Sequence, residues 1–277
     1  MKKIFALLLA VLLICSLAAC TKKEPDFVET ITVRTGYPSL TDLAAGDFPM
    51  DYHEDPAYSR YRFNVYVTVA DGQLSILPNH ADGNGDTLYV GKETVYRYGS
   101  LVGGRDGVYA NGALILEESC VGMAAGFSGK PLLLFTNADG AGHIRGAVES
   151  ENNGGEVTLS SFTMTLDSPI RLVLCDWTND NADPPREIYI VTKQGFYVLD
   201  TGKYLVSSGN SADFSEMTIK SIPVPEYWPY MDVTSMVRTE DGLIYIGEMC
   251  GVVGVDIARE AVTYYPVDHF QIWDPSK

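Results

Sequence analysis

A short strand–turn–strand unit recurs along the chain and constrains its fold more than any other feature. Each copy has a hydrophobic strand, usually with a tyrosine, a small turn and a second hydrophobic strand. The copies pair residues 63–69 with 73–77, 88–91 with 95–98, 108–109 with 114–116, 188–191 with 196–200, and 243–247 with 252–256. β-Branched and aromatic residues around turns such as Asn111-Gly112 are typical of β-hairpins. No segment after residue 19 shows long helical periodicity, so this part of the chain is predicted to be all-β.

The last copy of the unit predicts a complete four-stranded sheet. A strand at 236–238 precedes the turn Asp241-Gly242, the hairpin follows, and a fourth strand is expected at 261–265. Repeated four-stranded sheets that pack against their neighbours are typical of a β-propeller. The candidate strands between residues 28 and 265 predict about five such blades. A six-bladed propeller and a β-sandwich are the alternatives.

The first nineteen residues have the pattern of a signal peptide. Lys2 and Lys3 precede an uncharged apolar stretch over residues 4–19. This stretch is on the short side of the roughly 20 apolar residues that a membrane-spanning helix needs. It ends in Leu17-Ala18-Ala19-Cys20, which resembles the lipobox of bacterial lipoproteins. An ordinary secretory signal and a retained transmembrane anchor are the alternatives.

The lipobox resemblance implies cleavage before Cys20 and acylation of its thiol. Residues 1–19 would then be a signal peptide, residues 20–27 a lipidated tether, and residues 28–277 a single propeller-like domain. The mature protein would lie outside the cytoplasm, anchored in the cell membrane, or in the outer membrane of a Gram-negative cell. Thr21, rather than Asp, follows the cysteine. The resemblance therefore implies no inner-membrane retention signal.

The charge of the chain argues against one class of partner. Its 36 acidic residues outnumber its 20 basic residues, and the formal net charge is −16. Because Lys and Arg bind the phosphate backbone, a chain this acidic is not expected to bind nucleic acid.

The cysteines do not indicate a metal site or a disulfide framework. Beyond Cys15 and Cys20, the chain contains Cys120, Cys175 and Cys250, and none lies in a Cys-x-x-Cys pair. The sequence therefore predicts no zinc site. At most one disulfide is compatible with three cysteines, and none is expected.

A possible cation site lies in the loop that contains Asp82, Asn84 and Asp86. Three oxygen-bearing side chains at alternate positions can converge on calcium. Together with the following strand, residues 82–91 resemble the calcium-loop repeat of integrin-type (FG-GAP or VCBS) propellers, and residues 176–190 resemble a looser copy. Residues 241–247 are similar to the blades of sensor-type propellers. The first resemblance implies a propeller with calcium at this triplet. Val90 stands where those loops carry a further acid, and a polar turn without a metal is the alternative.

Tyr227, Trp228 and Tyr230 are the predicted binding surface. They lie in the segment 225–232, whose prolines exclude a central strand. Tyrosine and tryptophan present a large apolar face with a polar group, which suits glycans and protein partners. The alternative is that these aromatic side chains cover one end of the sheets.

No catalytic motif is present, and the four histidines are scattered at positions 53, 80, 143 and 269. The sequence therefore favours a binding or scaffolding module of the cell envelope, with an envelope protein or a glycan as partner, over an enzyme. One alternative is a carbohydrate-active enzyme with carboxylates at the propeller axis. The other is a structural envelope protein without a small ligand.

Overall fold

The computed structural model describes residues 45–46, 63–70, 73–80, 96–98, 100–125, 132–150, 156–175, 187–202, 214 and 216–267. This part of the chain is all-β, with eighteen strands in five antiparallel sheets. None of its helices is both long enough and apolar enough to cross a bilayer.

The first two sheets follow each other along the chain. Sheet I contains β1 (Phe63–Ala70) and β2 (Gln73–His80). Sheet II contains β3 (Tyr96–Tyr98), β4 (Leu101–Gly104), β5 (Gly107–Ala110) and β6 (Ala113–Leu116).

The remaining three sheets are also four-stranded. Sheet III contains β7 (Ser119–Ala125), β8 (Leu132–Ala138), β9 (Ala141–Ser150) and β10 (Glu156–Leu166). Sheet IV contains β11 (Ile170–Cys175), β12 (Glu187–Thr192), β13 (Phe196–Asp200) and β14 (Thr218–Ile222). Sheet V contains β15 (Ser235–Arg238), β16 (Ile244–Glu248), β17 (Gly251–Asp256) and β18 (Ala261–Pro266). In sheets II to V each strand pairs with the next one in the chain.

The predicted all-β class is confirmed, and so is the four-stranded order of the last sheet. The predicted turn at Asn111-Gly112 joins β5 to β6, with φ of 49° and 81° at the two residues. A similar turn at Asp139-Gly140 joins β8 to β9, with φ of 52° and 78°. Because Asn, Asp and Gly tolerate positive φ, these dipeptides favour tight hairpins. Residues 88–91 of the second predicted hairpin lie outside the described residues, and the described part of its partner, 96–98, forms β3, which pairs with β4.

The buried core consists of layers between sheets that are consecutive in the chain. Strand β12 shows the pattern most clearly, because its side chains alternate between two layers. Ile188 and Ile190 pack in the layer shared with sheet III. Tyr189 and Val191 pack in the layer shared with sheet V. Sheet IV is therefore buried on both faces, which accounts for its nearly continuous run of apolar residues.

Sheet I packs against sheet V, although the two are far apart in the sequence. Val65 and Val67 of β1 share a buried layer with Tyr245 and Val252. The Val67 amide donates a hydrogen bond to the Ser235 hydroxyl at 2.8 Å. The first described sheet is thus in contact with the last one.

A side-chain amide joins sheets III and IV at the ends of their strands. The Asn137 side-chain nitrogen donates to the Ile170 carbonyl at 2.8 Å, and the Ile170 amide donates to the Asn137 side-chain oxygen at 2.7 Å. The pair satisfies the backbone of Ile170 at the start of β11 and fixes the two sheets relative to each other.

Candidate binding surface

The segment between sheets IV and V forms a 3-10 turn rather than a strand. Its hydrogen bonds run from the Trp228 amide to the Pro225 carbonyl at 3.0 Å and from the Tyr230 amide to the Tyr227 carbonyl at 3.0 Å. Because proline fixes φ and has no N–H, Pro225 and Pro229 suit a tight turn and not a sheet interior. We call residues 223–234 the platform.

The platform is fixed to sheet IV by Trp228. Its side chain is 1% exposed, its ring meets Phe196 edge-on with centroids 6.3 Å apart, and its indole N–H donates to the Thr192 carbonyl at 3.2 Å. The Arg171 guanidinium also donates to the Met231 carbonyl. These contacts hold both ends of the 3-10 turn.

The three aromatic residues of the predicted binding surface have different environments. Trp228 is a core residue and presents no face to solvent, so a surface role does not hold for it. Tyr227 is half-buried and meets the Tyr264 ring edge-on, with centroids 6.0 Å apart. Tyr230 is 55% exposed and is the part of the predicted surface that solvent reaches most readily.

Exposed carboxylates lie on both sides of Tyr230. Glu226 and Asp232 are exposed, and the platform contains no Lys or Arg. The platform therefore exposes one aromatic ring and two acidic side chains on a fixed turn.

A buried carboxyl group lies beneath the platform. Glu248, the last residue of β16, is fully buried, and neither of its oxygens has a hydrogen bond of normal geometry. Burial raises its pKa well above the usual value, and the nearby charge of Asp232 raises it further. The Tyr264 hydroxyl and the Met249 amide oppose this rise in pKa only partly, and the hydroxyl donates to the Cys250 carbonyl at 3.1 Å.

The neighbouring sheets have threonine near the corresponding strand end. Thr136 of β8 and Thr192 of β12 are fully buried, as Glu248 is. The Thr136 hydroxyl donates to Glu118 at 2.6 Å, and the Thr192 hydroxyl accepts from the Gly195 amide at 3.0 Å. Both threonines are satisfied by hydrogen bonds, whereas Glu248 is not.

Sequence reasoning did not select Glu248, although one signal could have revealed it. The residue is an acid directly after the apolar strand Ile244–Gly247, at the position where the copy at 188–191 has Thr192. Glu248 also acts electrostatically on the predicted binding surface. Burial and the Glu248 carboxyl together raise the pKa of Tyr227 to about 12.

A second acid, Glu118, is half-buried and paired, which indicates a structural role. Its carboxylate accepts hydrogen bonds from the Arg145 guanidinium and the Thr136 hydroxyl. Burial opposes ionisation, but these bonds and the Arg145 charge outweigh it and lower the pKa of Glu118. The Glu118 carboxylate thus has hydrogen-bond donors of normal geometry, whereas the Glu248 carboxyl has none.

The other predicted sites are not reached by the described residues. Cys20 and the triplet Asp82, Asn84 and Asp86 lie outside them. Within the described ranges, no three His, Cys, Asp or Glu side chains are grouped as metal ligands.

Cys120, Cys175 and Cys250, the cysteines of the described ranges, form no disulfide with one another. Burial raises the pKa of Cys120 to about 11 and that of Cys175 to about 12. Both thiols are therefore protonated at neutral pH and unreactive as nucleophiles.

Comparison with known protein families, curated proteins and solved structures gives no match for this chain. The functional conclusion therefore depends on its own residues.

Proposed function

We propose that this chain is an exported lipoprotein, anchored through Cys20, that binds a protein or a glycan of the cell envelope. The observation that carries the binding role is the exposed Tyr230 on a platform fixed by buried Trp228. The lipobox at Leu17–Cys20 supports the anchor.

A fixed aromatic side chain is suited to binding because little conformational entropy is lost when it docks. Tyrosine offers apolar area and a hydroxyl, and rigid aromatic anchors are enriched among residues that dominate binding energy. Trp228 and Met231 are each 1% exposed, so the core already orders the turn before any partner arrives.

We also propose that the five sheets are the blades of a β-propeller. Buried layers join sheets II to III, III to IV and IV to V, and a fourth layer joins V to I. Radial packing puts every blade between two neighbours, whereas a sandwich buries one face of each sheet. An experimental structure with five sheets around one axis supports this arrangement, and two stacked sheets contradict it.

The binding role is tested with a glycan array and with cross-linking to envelope proteins in intact cells. We expect Tyr230→Ala to weaken binding of the partner so identified at least tenfold, which corresponds to about 1.4 kcal/mol. Leu114→Ala is the matched control, because Leu114 is also an exposed hydrophobic side chain, at 49%, on distant β6.

Equal loss of binding in both variants contradicts a role for Tyr230. Absence of any glycan or protein partner favours the structural alternative.

A further inference from the structure

Glu248 faces the platform and not sheet I. Along β16, Ile244 and Ile246 point into the layer shared with sheet IV, whereas Tyr245 points into the layer shared with sheet I. Side chains alternate along a strand, so Glu248 points to the same side as Ile246. Its electrostatic effect on Tyr227 agrees with this direction.

The platform closes over this carboxyl and keeps water away from it. The Thr234 amide donates to the Gly247 carbonyl at 2.8 Å, and this bond fixes the end of the platform to β16 next to Glu248. Tyr227 of the platform and Tyr264 of β18 meet edge-on, and both interact with Glu248. A neutral carboxyl tolerates such a position, but an ionised one without a hydrogen-bond partner does not.

Among the described residues, the groups that act on the pKa of Glu248 include no Lys, Arg or His, and the Arg171 guanidinium that reaches the platform donates to the Met231 carbonyl. The titratable side chains that act on Glu248 are Tyr227 and Asp232 on the platform and Tyr264 on β18. Strand β1, which pairs with the turn through an Asn64–Met249 bridge, has no charged side chain. Asp232 is the charged group among them, and it disfavours ionisation.

We propose that the proton on Glu248 keeps the platform closed, and that its loss releases the platform from sheet V and loosens the hold on Tyr230. The regulatory meaning rests on the proposed binding at Tyr230. The release itself is a property of the chain and is measured without a ligand. A domain held outside the cytoplasm experiences the pH of its surroundings, so this coupling would make binding depend on that pH.

The direction of the effect follows from the two pKa values of Glu248. Exposed in the open platform, the carboxyl has the ordinary value of 4.5, and in the closed platform its pKa is well above this. Below 4.5 both forms are protonated, and the closed form has its full advantage. Above 4.5 the open form loses its proton first, so closure weakens until pH reaches the raised pKa, and then stays constant.

Amide hydrogen exchange of the full chain, corrected for the intrinsic pH dependence of exchange, measures this release. The main reporter is the Thr234 amide, whose hydrogen bond to the Gly247 carbonyl joins the platform to sheet V, and the Tyr230 and Met231 amides, bonded within the turn, report whether the loosening reaches Tyr230. We expect their protection to fall about tenfold per pH unit above 4.5, the slope for one proton, and then to level off. The Asn111 amide, bonded to Ser100 in distant sheet II, is the internal control and keeps constant protection.

Two variants separate Glu248 from other causes. Glu248→Gln keeps the shape but cannot ionise, and we expect platform protection that no longer depends on pH. Asp232→Asn removes the neighbouring charge, and we expect protection to level off at a lower pH than in the wild type.

A wild-type slope that persists in Glu248→Gln overturns the proposal, as does an Asp232→Asn profile identical to the wild type. Because Asp232 is exposed, the second variant decides the matter if the first does not fold. Failure to find a partner for Tyr230 would leave the exchange result unaffected, so the two proposals fail separately.

Discussion

At the scale of single residues, burial separates side chains that the sequence places side by side. Trp228 and Tyr230 are two positions apart in one aromatic segment, yet one is 1% exposed and the other 55%. The sequence correctly indicates that the segment is not a central strand. It does not indicate which ring is buried, because the contacts with Phe196 and Thr192 come from another sheet.

This difference in burial predicts that two alanine variants differ greatly in their effect on stability. Trp228→Ala removes a fully buried ring and its hydrogen bond to Thr192, and we expect a loss of about 3–5 kcal/mol in the free energy of unfolding. Tyr230→Ala changes an exposed side chain, and we expect a change within about 0.5 kcal/mol. Urea denaturation measures both values. A destabilisation by Tyr230→Ala as large as that by Trp228→Ala would contradict the assignment of Trp228 as the anchor.

At the scale of strands and sheets, local patterns account for most of what could be predicted. Sheet V follows the expected order, because each strand has its own apolar residues and each turn its own turn residues. Contacts between sheets have no comparable signature in the local sequence. The closeness of Glu248 to Tyr227, and of β1 to β15, depends on residues far apart in the chain and could not be derived from periodicity.

The contact between sheets I and V predicts a requirement for glycine at 247. A Cβ atom there would collide with the Val65 carbonyl of β1 and would lie 2.7 Å from the Thr234 hydroxyl. We expect Gly247→Ala to destabilise the fold by about 1–3 kcal/mol, since backbone cannot move aside as a side chain can. Thermal or urea unfolding checks this value.

Gly254→Ala in the same sheet is the control. Its Cβ would meet only the rings of Tyr245 and Tyr265, at 3.3 Å, and these can shift. Equal stability of the two variants would show that β1 does not lie against β16.

At the scale of the whole molecule, the packed sheets are separate from the proposed lipid anchor. Within the described residues, buried layers join sheets II to V in chain order and join sheet V to sheet I. With the proposed anchor at Cys20, residues 21–27 would form a tether that reaches at most about 25 Å when fully extended. A domain on such a tether would stay near the membrane, where an envelope partner is within reach of Tyr230.

The proposed anchor offers the most direct test of the proposed function. The measurement is the mass of the N-terminal peptide of the chain, purified from the cells that make it. Lipidation at Cys20 predicts a peptide that begins at this residue and carries a diacylglyceryl group on its thiol, with or without a further acyl chain on its amine. A peptide that retains residues 1–19, or one with an unmodified Cys20, would contradict the account.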